Sequence, residues 1–426
     1  MAEPFGPEGL PLDDARRQIL SALQPLSVVE SLPLAAALGR VTAESVRAVA
    51  AVPGFRASIM DGYALGGEGL AGEAGAGEAP GGDALPQPGA CWRLVGRSSP
   101  AAPFDAPLLA GEAVRILTGA PVPSGSGRVL PQELVELDAE TLRLLRPCGV
   151  NAWIRAADEE AAAGQELVPS GQRLGPADLG RLASCGVSHV SVTARPRIGL
   201  LVSGDELLPA GVERGPGQIW ESNSALLAAL LERLGYPLAA VRLVADAPVA
   251  LRQALLELAS CSDVVVSSGG VSAGDSDWIR PLLAELGTLN FWKLFLKPGR
   301  PFAWGELAGK PFFGLPGNPV AAAVTALQLL WPALQRLEGA EPQLLPRLLV
   351  RLQAPLRRGA GRPELARATL VIAADGGLWA RVSGSQASSR IGSLQQADLL
   401  LEIPAELGAL EAGTPLWAQL LRLPLF

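Results

Sequence analysis

The chain has 426 residues, with 35 Lys and Arg against 42 Asp and Glu and a formal net charge of −7 at pH 7. That acidic balance excludes a general nucleic-acid-binding face, which needs a basic surface, and no run of about 18 apolar residues predicts a membrane span. Cys91, Cys148, Cys185 and Cys261 stand alone without a Cys-x-x-Cys pair, so neither a zinc site nor a disulfide framework is expected. The acidic, Pro-rich start shows no basic stretch followed by an apolar one, so no signal peptide is read and the expected location is cytoplasmic.

In chain order, residues 12–23 place acids at a helix N-terminus and carry an amphipathic pattern. A second helix is expected over roughly 31–46, around Leu32, Leu34, Leu38 and Val41, ending near Pro53-Gly54. Neither carries chemistry. The hexapeptide Met60-Asp61-Gly62-Tyr63-Ala64-Leu65 holds one of the two Met and one of the two Tyr. Its Asp-Gly pair predicts a tight turn that presents the Asp61 carboxylate and the Tyr63 ring outward. Residues 66–89 are rich in Gly, Ala and Glu and read as a loop. Strand patterns at 92–96, 113–117 and 129–135, separated by Pro/Gly turns, predict a β-rich module. Inside it, Thr118-Gly119-Ala120-Pro121 forms a corner that offers a hydroxyl and a free N–H. A helix is expected near Pro176 to Cys185, and the only His, His189, lies in an alternating strand and reads as structural.

From Arg197 strands and helices alternate: apolar strands at 198–202, 240–244 and 263–267, with helices at 223–234 and 248–259. That rhythm builds a parallel sheet with helices on both faces, whose ligands bind beyond the carboxyl ends of the strands. Asp205, Glu206, Asp246, Asp275 and Asp277 all fall at that edge. Several carboxylates at one edge suit a cation such as Mg²⁺, which prefers oxygen ligands and bridges to phosphate. The third strand runs into Ser268, Gly269, Gly270, Ser272 and Asp275 before a helix from Trp278, with Asp275 to Asp277 at the expected N-cap. A strand, a glycine-rich turn and a helix start together make an anion site. Lys occurs only at Lys293, Lys297 and Lys310, and two of these lie four residues apart in FWKLFLKPGRPF. Lys is a compact charge that Arg does not replace around a small anion. A Gly/Pro-rich hairpin follows, then Asn318 and Pro319 open a helix over 320–337. Five short strands after residue 341 predict a small β-barrel, with Arg362 and the segment 383–390 in its loops.

The stretches MDGYAL, RILTGAPVP, LLVSGDEL, VVVSSGGVSAGDSDW, FWKLFLKPGRPF, FFGLPGNPVAA and GSQASSRIGSL occur in that order from about Asp13 to the end. In this the chain resembles the MoeA family, the molybdopterin molybdenumtransferases, which include the E domain of gephyrin. The resemblance implies an α/β multidomain fold. Its parts are an N-terminal mixed domain (1–50 and 149–195), an inserted β-rich domain (51–148), a central parallel-sheet α/β domain of the MoaB/Mog kind (196–338) and a C-terminal β-barrel (339–426). It implies a homodimer with the active site at the subunit interface, and insertion of molybdate into adenylyl-molybdopterin with release of AMP, assisted by Mg²⁺. A transient contact with the molybdopterin adenylyltransferase is also implied; nucleic acid and membrane are not.

Carried over to this chain, Glu206, Asp246 and Asp277 match the family's metal and catalytic acids and Lys293 and Lys297 its lysines. Asp61 and Thr118 match its N-terminal contributions, and Arg362 and Ser388 those of the barrel. On this reading Lys297, Arg300, Arg362 and Ser388 hold the molybdate, the loop with Ser268, Gly269, Gly270, Ser272 and Asp275 seats the phosphates, and Pro298 and Asn318 also belong to the substrate site. Charge-assisted bonds to the dianion supply the affinity, and no protein nucleophile is required. Two rival readings remain: an adenylyltransferase of the Mog type, disfavoured by the long flanking regions, and a partner-binding scaffold, disfavoured by retention of the lysines and acids.

Overall fold

A computed structural model describes residues 9–67, 85–271, 278–382 and 384–421. Its centre is a six-stranded sheet in the order Leu238–Val244, Ile198–Ser203, Val264–Ser268, Lys310–Leu315, Ala303–Leu307, Gly287–Trp292. The first four strands run parallel, and the last two complete the edge antiparallel. Every residue of Ile198–Ser203 and Val264–Ser268 is buried, as strands covered on both faces must be. Alternation along each strand divides the core in two. Leu200, Val202, Val264 and Val266 pack with Leu227 and Leu231 of the helix Asn223–Arg233 and with the helix that starts at Pro319. Leu201 and Val265 pack instead with Leu255 and Leu258 of Pro248–Cys261 and with Leu282 and Leu283 of Ile279–Leu286. That last helix has Trp278 as its N-cap; the acidic cap expected at Asp275 to Asp277 lies outside the described residues.

Pro319–Leu337 is the one helix among the described residues long and apolar enough to cross a membrane, and 94% of its apolar window is buried inside the protein. It is a core helix. Its middle widens into a π turn over Ala326–Leu330. Pro332 cannot donate to the carbonyl four residues earlier, and Arg16 Nε reaches that Gln328 carbonyl at 3.1 Å. The helix Leu12–Ala22 is thereby tied to the central core, in which Leu10, Ala15, Ile19 and Leu23 are buried.

The helix expected over 31–46 does not form. Val29–Pro33 is a strand paired antiparallel with His189–Thr193, followed by a single 3₁₀ turn, Leu34–Ala36, and the short strand Val46–Arg47. The physical reason is that Pro33 lacks the N–H a helix would use, Leu38 is exposed and offers no buried helix face, and pairing with His189–Thr193 satisfies the extended backbone instead.

The β-rich module is a second six-stranded sheet, ordered Ser126–Pro131, Gly62–Gly66, Glu112–Ile116, Cys91–Ser98, Thr141–Leu144, Val135–Asp138. Gly62 begins an interior strand and closes no hairpin. A Cβ there would stand 2.1 Å from the Leu130 carbonyl oxygen, so close strand approach, and not turn geometry, accounts for this glycine. Tyr63 consequently points into the sheet's core and is buried, contrary to the outward ring expected, with the Arg115 guanidinium 5.0 Å above its ring. Most of the loop read at 66–89 lies outside the described residues. The C-terminal strands Arg347–Leu352, Leu378–Arg381, Glu364–Ile372, Leu399–Ile403 and Pro415–Leu420 close into a barrel in that order, as the short-strand pattern predicts.

Candidate active site

The carboxyl ends of the parallel strands open into a cavity of about 610 Å³ lined by Glu206, Asp246, Ser268, Gly269, Gly270, Asn318 and Ser388, among others. Each reaches it by a different route. Asp246 follows the strand Leu238–Val244, and its backbone N–H donates to Asp205 Oδ1 at 2.9 Å. Asp205 is therefore a brace for Asp246 and does not line the cavity. Gly269 and Gly270 have φ of +100° and +66°, and a Cβ at Gly269 would come within 2.8 Å of the Ser203 carbonyl oxygen. Only glycine holds this turn without strain. Asn318 is the N-cap of the core helix, with Pro319 as its first residue.

The Ser268 hydroxyl is already engaged. It accepts from Asn223 Nδ2 at 2.8 Å and donates to the Pro316 carbonyl at 3.3 Å, while Asn223 also donates to the Gly317 carbonyl at 2.7 Å. Ser268 thus shapes the wall through its backbone, and the buried Asn223 staples the two loops that form it. The N-cap cluster placed Asn223 at a helix start but gave no sign of that role. The rim carries Ile219 and Trp220, both about half exposed, with Arg214 stacked 4.1 Å over the Trp220 ring.

A second cavity, of about 330 Å³, is lined by Lys297, Arg357, Arg358, Arg362, Glu364 and Gln386. It adjoins the first through short links. Lys297 lines the smaller cavity and Gly299 the larger; Gln386 lines the smaller and Ser388 the larger. Lys297 Nζ lies 3.0 Å from the buried carboxylate of Glu364, whose other oxygen is 3.2 Å from Arg358 Nε. The backbone of Lys297 is stitched to the barrel, donating to the Pro363 carbonyl at 2.9 Å and accepting from the Leu365 N–H at 2.8 Å. The segment bearing Ser388 is fixed from below by Arg367, which is 2% exposed. Arg367 donates to Ser393 Oγ and to the Ala387 carbonyl, both at 3.1 Å, and its backbone N–H donates to Gln386 Oε1 at 2.8 Å. Burial lowers the pKa of this guanidinium and the Glu364 charge partly offsets it. Glu364, Arg358 and Arg367 carried no signal in the sequence, because their partners lie in other loops.

The remaining candidates separate. Lys293 lines neither cavity; its ammonium sits 3.8 Å over the Trp292 ring, which Arg280 also covers at 3.7 Å, and its φ is +70°. Arg300 is exposed between Gly299 and Pro301, which line the larger cavity, and Pro298 is buried. Asp61 and Thr118 meet each other at the ends of strands of the β-rich sheet, and neither lines either cavity. Asp61 Oδ1 accepts from the Thr118 N–H and from its hydroxyl, each at 2.8 Å. Those bonds, the backbone one foremost, hold the Asp61 carboxyl below the usual carboxylate range. Ser272, Asp275 and Asp277 lie outside the described residues.

Among the described residues no group of three His, Cys, Asp or Glu side chains is placed to hold a metal. Glu206 and Asp246 nonetheless line one polar cavity that contains neither imidazole nor thiol. Two carboxylates with backbone and hydroxyl oxygens form a hard-oxygen donor set, which fits Mg²⁺ and not zinc.

Residues 10–186 match the MoeA N-terminal region (domain I and II), residues 199–336 a probable molybdopterin binding domain, and residues 350–421 the MoeA C-terminal region (domain IV). The molybdopterin molybdenumtransferase of Haemophilus influenzae is 32% identical over 406 residues, covering 95% of this chain and 96% of that protein. Gephyrin of Dictyostelium discoideum is 30% identical over 454 residues, covering 95% of this chain and 61% of its own length. The crystal structure of the molybdopterin biosynthesis MoeA protein from Pyrococcus horikoshii superposes with a TM-score of 0.78 at 25% identity, covering 97% of this chain and 99% of that one.

Proposed function

The chain belongs to the MoeA family of molybdopterin molybdenumtransferases, enzymes of molybdenum cofactor biosynthesis, and on that premise we propose that it inserts molybdate into adenylyl-molybdopterin with release of AMP. One observation carries the proposal: an acidic cavity large enough for a nucleotide adjoins a smaller cationic cavity, and Lys297–Gly299 and Gln386–Ser388 bridge the two.

The larger cavity takes the adenylylated pterin. The Gly269–Gly270 turn, packed tightly on Ser203, forms one wall for the phosphate, and the loops held by Asn223 orient it. The smaller cavity takes the molybdate dianion, for which Lys297 and Arg362 supply charge-assisted bonds. Ser388, on the boundary between them, donates its hydroxyl to whichever oxygen approaches. Glu206 and Asp246, with Asp277, are the residues that would hold Mg²⁺, whose charge favours a phosphate at that place when it is bound. The chain's own contribution is electrostatic and positional: fixed cations and dipoles around the reacting anions, with no covalent intermediate on the protein.

We assign the ionised Asp61 and its partner Thr118 to the site of a second protomer, which would complete the larger cavity in a homodimer. The absence of both residues from the cavity walls of their own chain supports that reading. All four cysteines are free thiols, which suits the cytoplasm, where the adenylyltransferase that makes the substrate would meet this enzyme. The test is direct. The full chain, given adenylyl-molybdopterin, molybdate and Mg²⁺, should yield AMP and a molybdenum-bearing pterin by mass spectrometry. AMP formed equally without molybdate, or no molybdenum on the pterin, would contradict the proposal.

A further inference from the structure

Glu364 is a buried carboxylate held by two cations of unlike character. Arg358 belongs to the frame: its side chain is 6% exposed, and beyond Glu364 it donates to the carbonyls of Pro404, Leu407 and Arg362. Lys297 belongs to the cavity: its side chain is 48% exposed, while its backbone is pinned on both sides by Pro363 and Leu365. Only the four-carbon stem of Lys297 is therefore able to swing. A buried carboxylate stripped of every cation is strongly disfavoured, but here Arg358 stays in place when Lys297 leaves, and Arg367 also lies close enough to feel the Glu364 charge.

We infer that Glu364 is a positioning residue that parks the Lys297 ammonium at the cavity wall and competes with the incoming oxyanion for it, so setting how tightly a tetrahedral dianion is bound. This rests on the reading of Lys297 as an oxyanion ligand. On binding, Lys297 turns from Glu364 Oε1 to the dianion, exchanging one ion pair for another, while Arg358 continues to neutralise the carboxylate. The empty pocket thus has a built-in counter-anion, which weak or singly charged anions displace poorly.

The probe is molybdate itself, titrated calorimetrically into the full chain. Glu364→Gln keeps the shape and removes the competing charge, so molybdate should bind about two- to fivefold more tightly, the size expected of a half-exposed ion pair. Lys297→Ala should weaken binding, and adding Glu364→Gln to it should change nothing further. A role confined to holding the fold predicts the opposite sign, a loss of affinity in Glu364→Gln. Unchanged or weaker binding in Glu364→Gln, with Lys297→Ala still weakened, overturns the inference and leaves the ligand reading intact. Unchanged binding in Lys297→Ala refutes the ligand reading, and the inference with it. Should the Gln variant fail to fold, Glu364→Asp retains charge beside Arg358 but draws back from Lys297. Tighter molybdate binding is expected there too, and unchanged or weaker binding refutes the inference.

Discussion

Asn223→Ala removes the staple between the two loops of the larger cavity. The Asn223 amide spends both of its hydrogens inside the protein, on Ser268 Oγ at 2.8 Å and the Gly317 carbonyl at 2.7 Å. Each such bond contributes about 1 kcal/mol, and the Gly317 carbonyl left without its donor costs somewhat more. Against that, Ala is a better helix residue than Asn by up to about 0.7 kcal/mol at the start of Asn223–Arg233. The net loss should be about 1.5–2.5 kcal/mol, read as a lower urea midpoint of the central domain. The functional consequence is selective. AMP affinity, measured by calorimetry, should fall severalfold, because Ser268 and Gly317 line that cavity. Molybdate affinity should hold, because neither hydrogen-bond partner of Asn223 lines the smaller cavity. A stability change below about 0.5 kcal/mol would refute the bonding argument, and a parallel loss of both affinities would refute the division into two subsites.

Two further outcomes follow from local geometry. Gly269→Ala forces a Cβ to within 2.8 Å of the Ser203 carbonyl oxygen at φ +100°. It should cost about 1–3 kcal/mol and abolish most turnover; thermal melts with an AMP-release assay check both, and a variant that melts and turns over like the parent would contradict the tight turn. Thr118→Val deletes the hydroxyl donor to Asp61 but keeps the backbone one. Because the folded Asp61 pKa is depressed, its ionised state is favoured at neutral pH and is lost only as pH falls through that lowered value. The substitution should move this loss to higher pH, seen in the carboxyl carbon resonance of Asp61 and on the acid side of the activity profile. An Asp61 titration that does not move would show that the backbone N–H does all the work.

How much was readable beforehand depended on whether the signal was local. Val264-Val265-Val266 declares a two-sided buried strand by itself, and Glu206 and Asp246 reach one cavity because the parallel strands they follow share a carboxyl end. The barrel was equally plain from its short strands and turns. Segment 31–46 misled because its leucines fit a helical spacing as well as an extended one, and pairing with His189–Thr193, far away in the chain, decided the matter. Tyr63 misled for a related reason: an Asp-Gly pair usually turns the chain, yet here the glycine is demanded by the neighbouring Leu130 backbone. The ion-pair frame of Arg358, Glu364 and Lys297 and the buried Arg367 were invisible, since a charge in a loop reads as solvated until tertiary packing closes over it. The Asn223–Gly317 bond, spanning 94 residues, belongs to the same class.

The most direct test of the account is molybdate-dependent AMP release from adenylyl-molybdopterin with Mg²⁺, compared among the parent chain, Lys297→Ala and Asp246→Ala. Release should rise with molybdate in the parent. Each variant should lose at least about a hundredfold, as expected when a fixed charge at the reacting anions is removed. Added molybdate should partly restore Lys297→Ala and leave Asp246→Ala unrestored. Release that ignores molybdate, or that persists in both variants, would contradict the division of labour between the acidic and the cationic cavity.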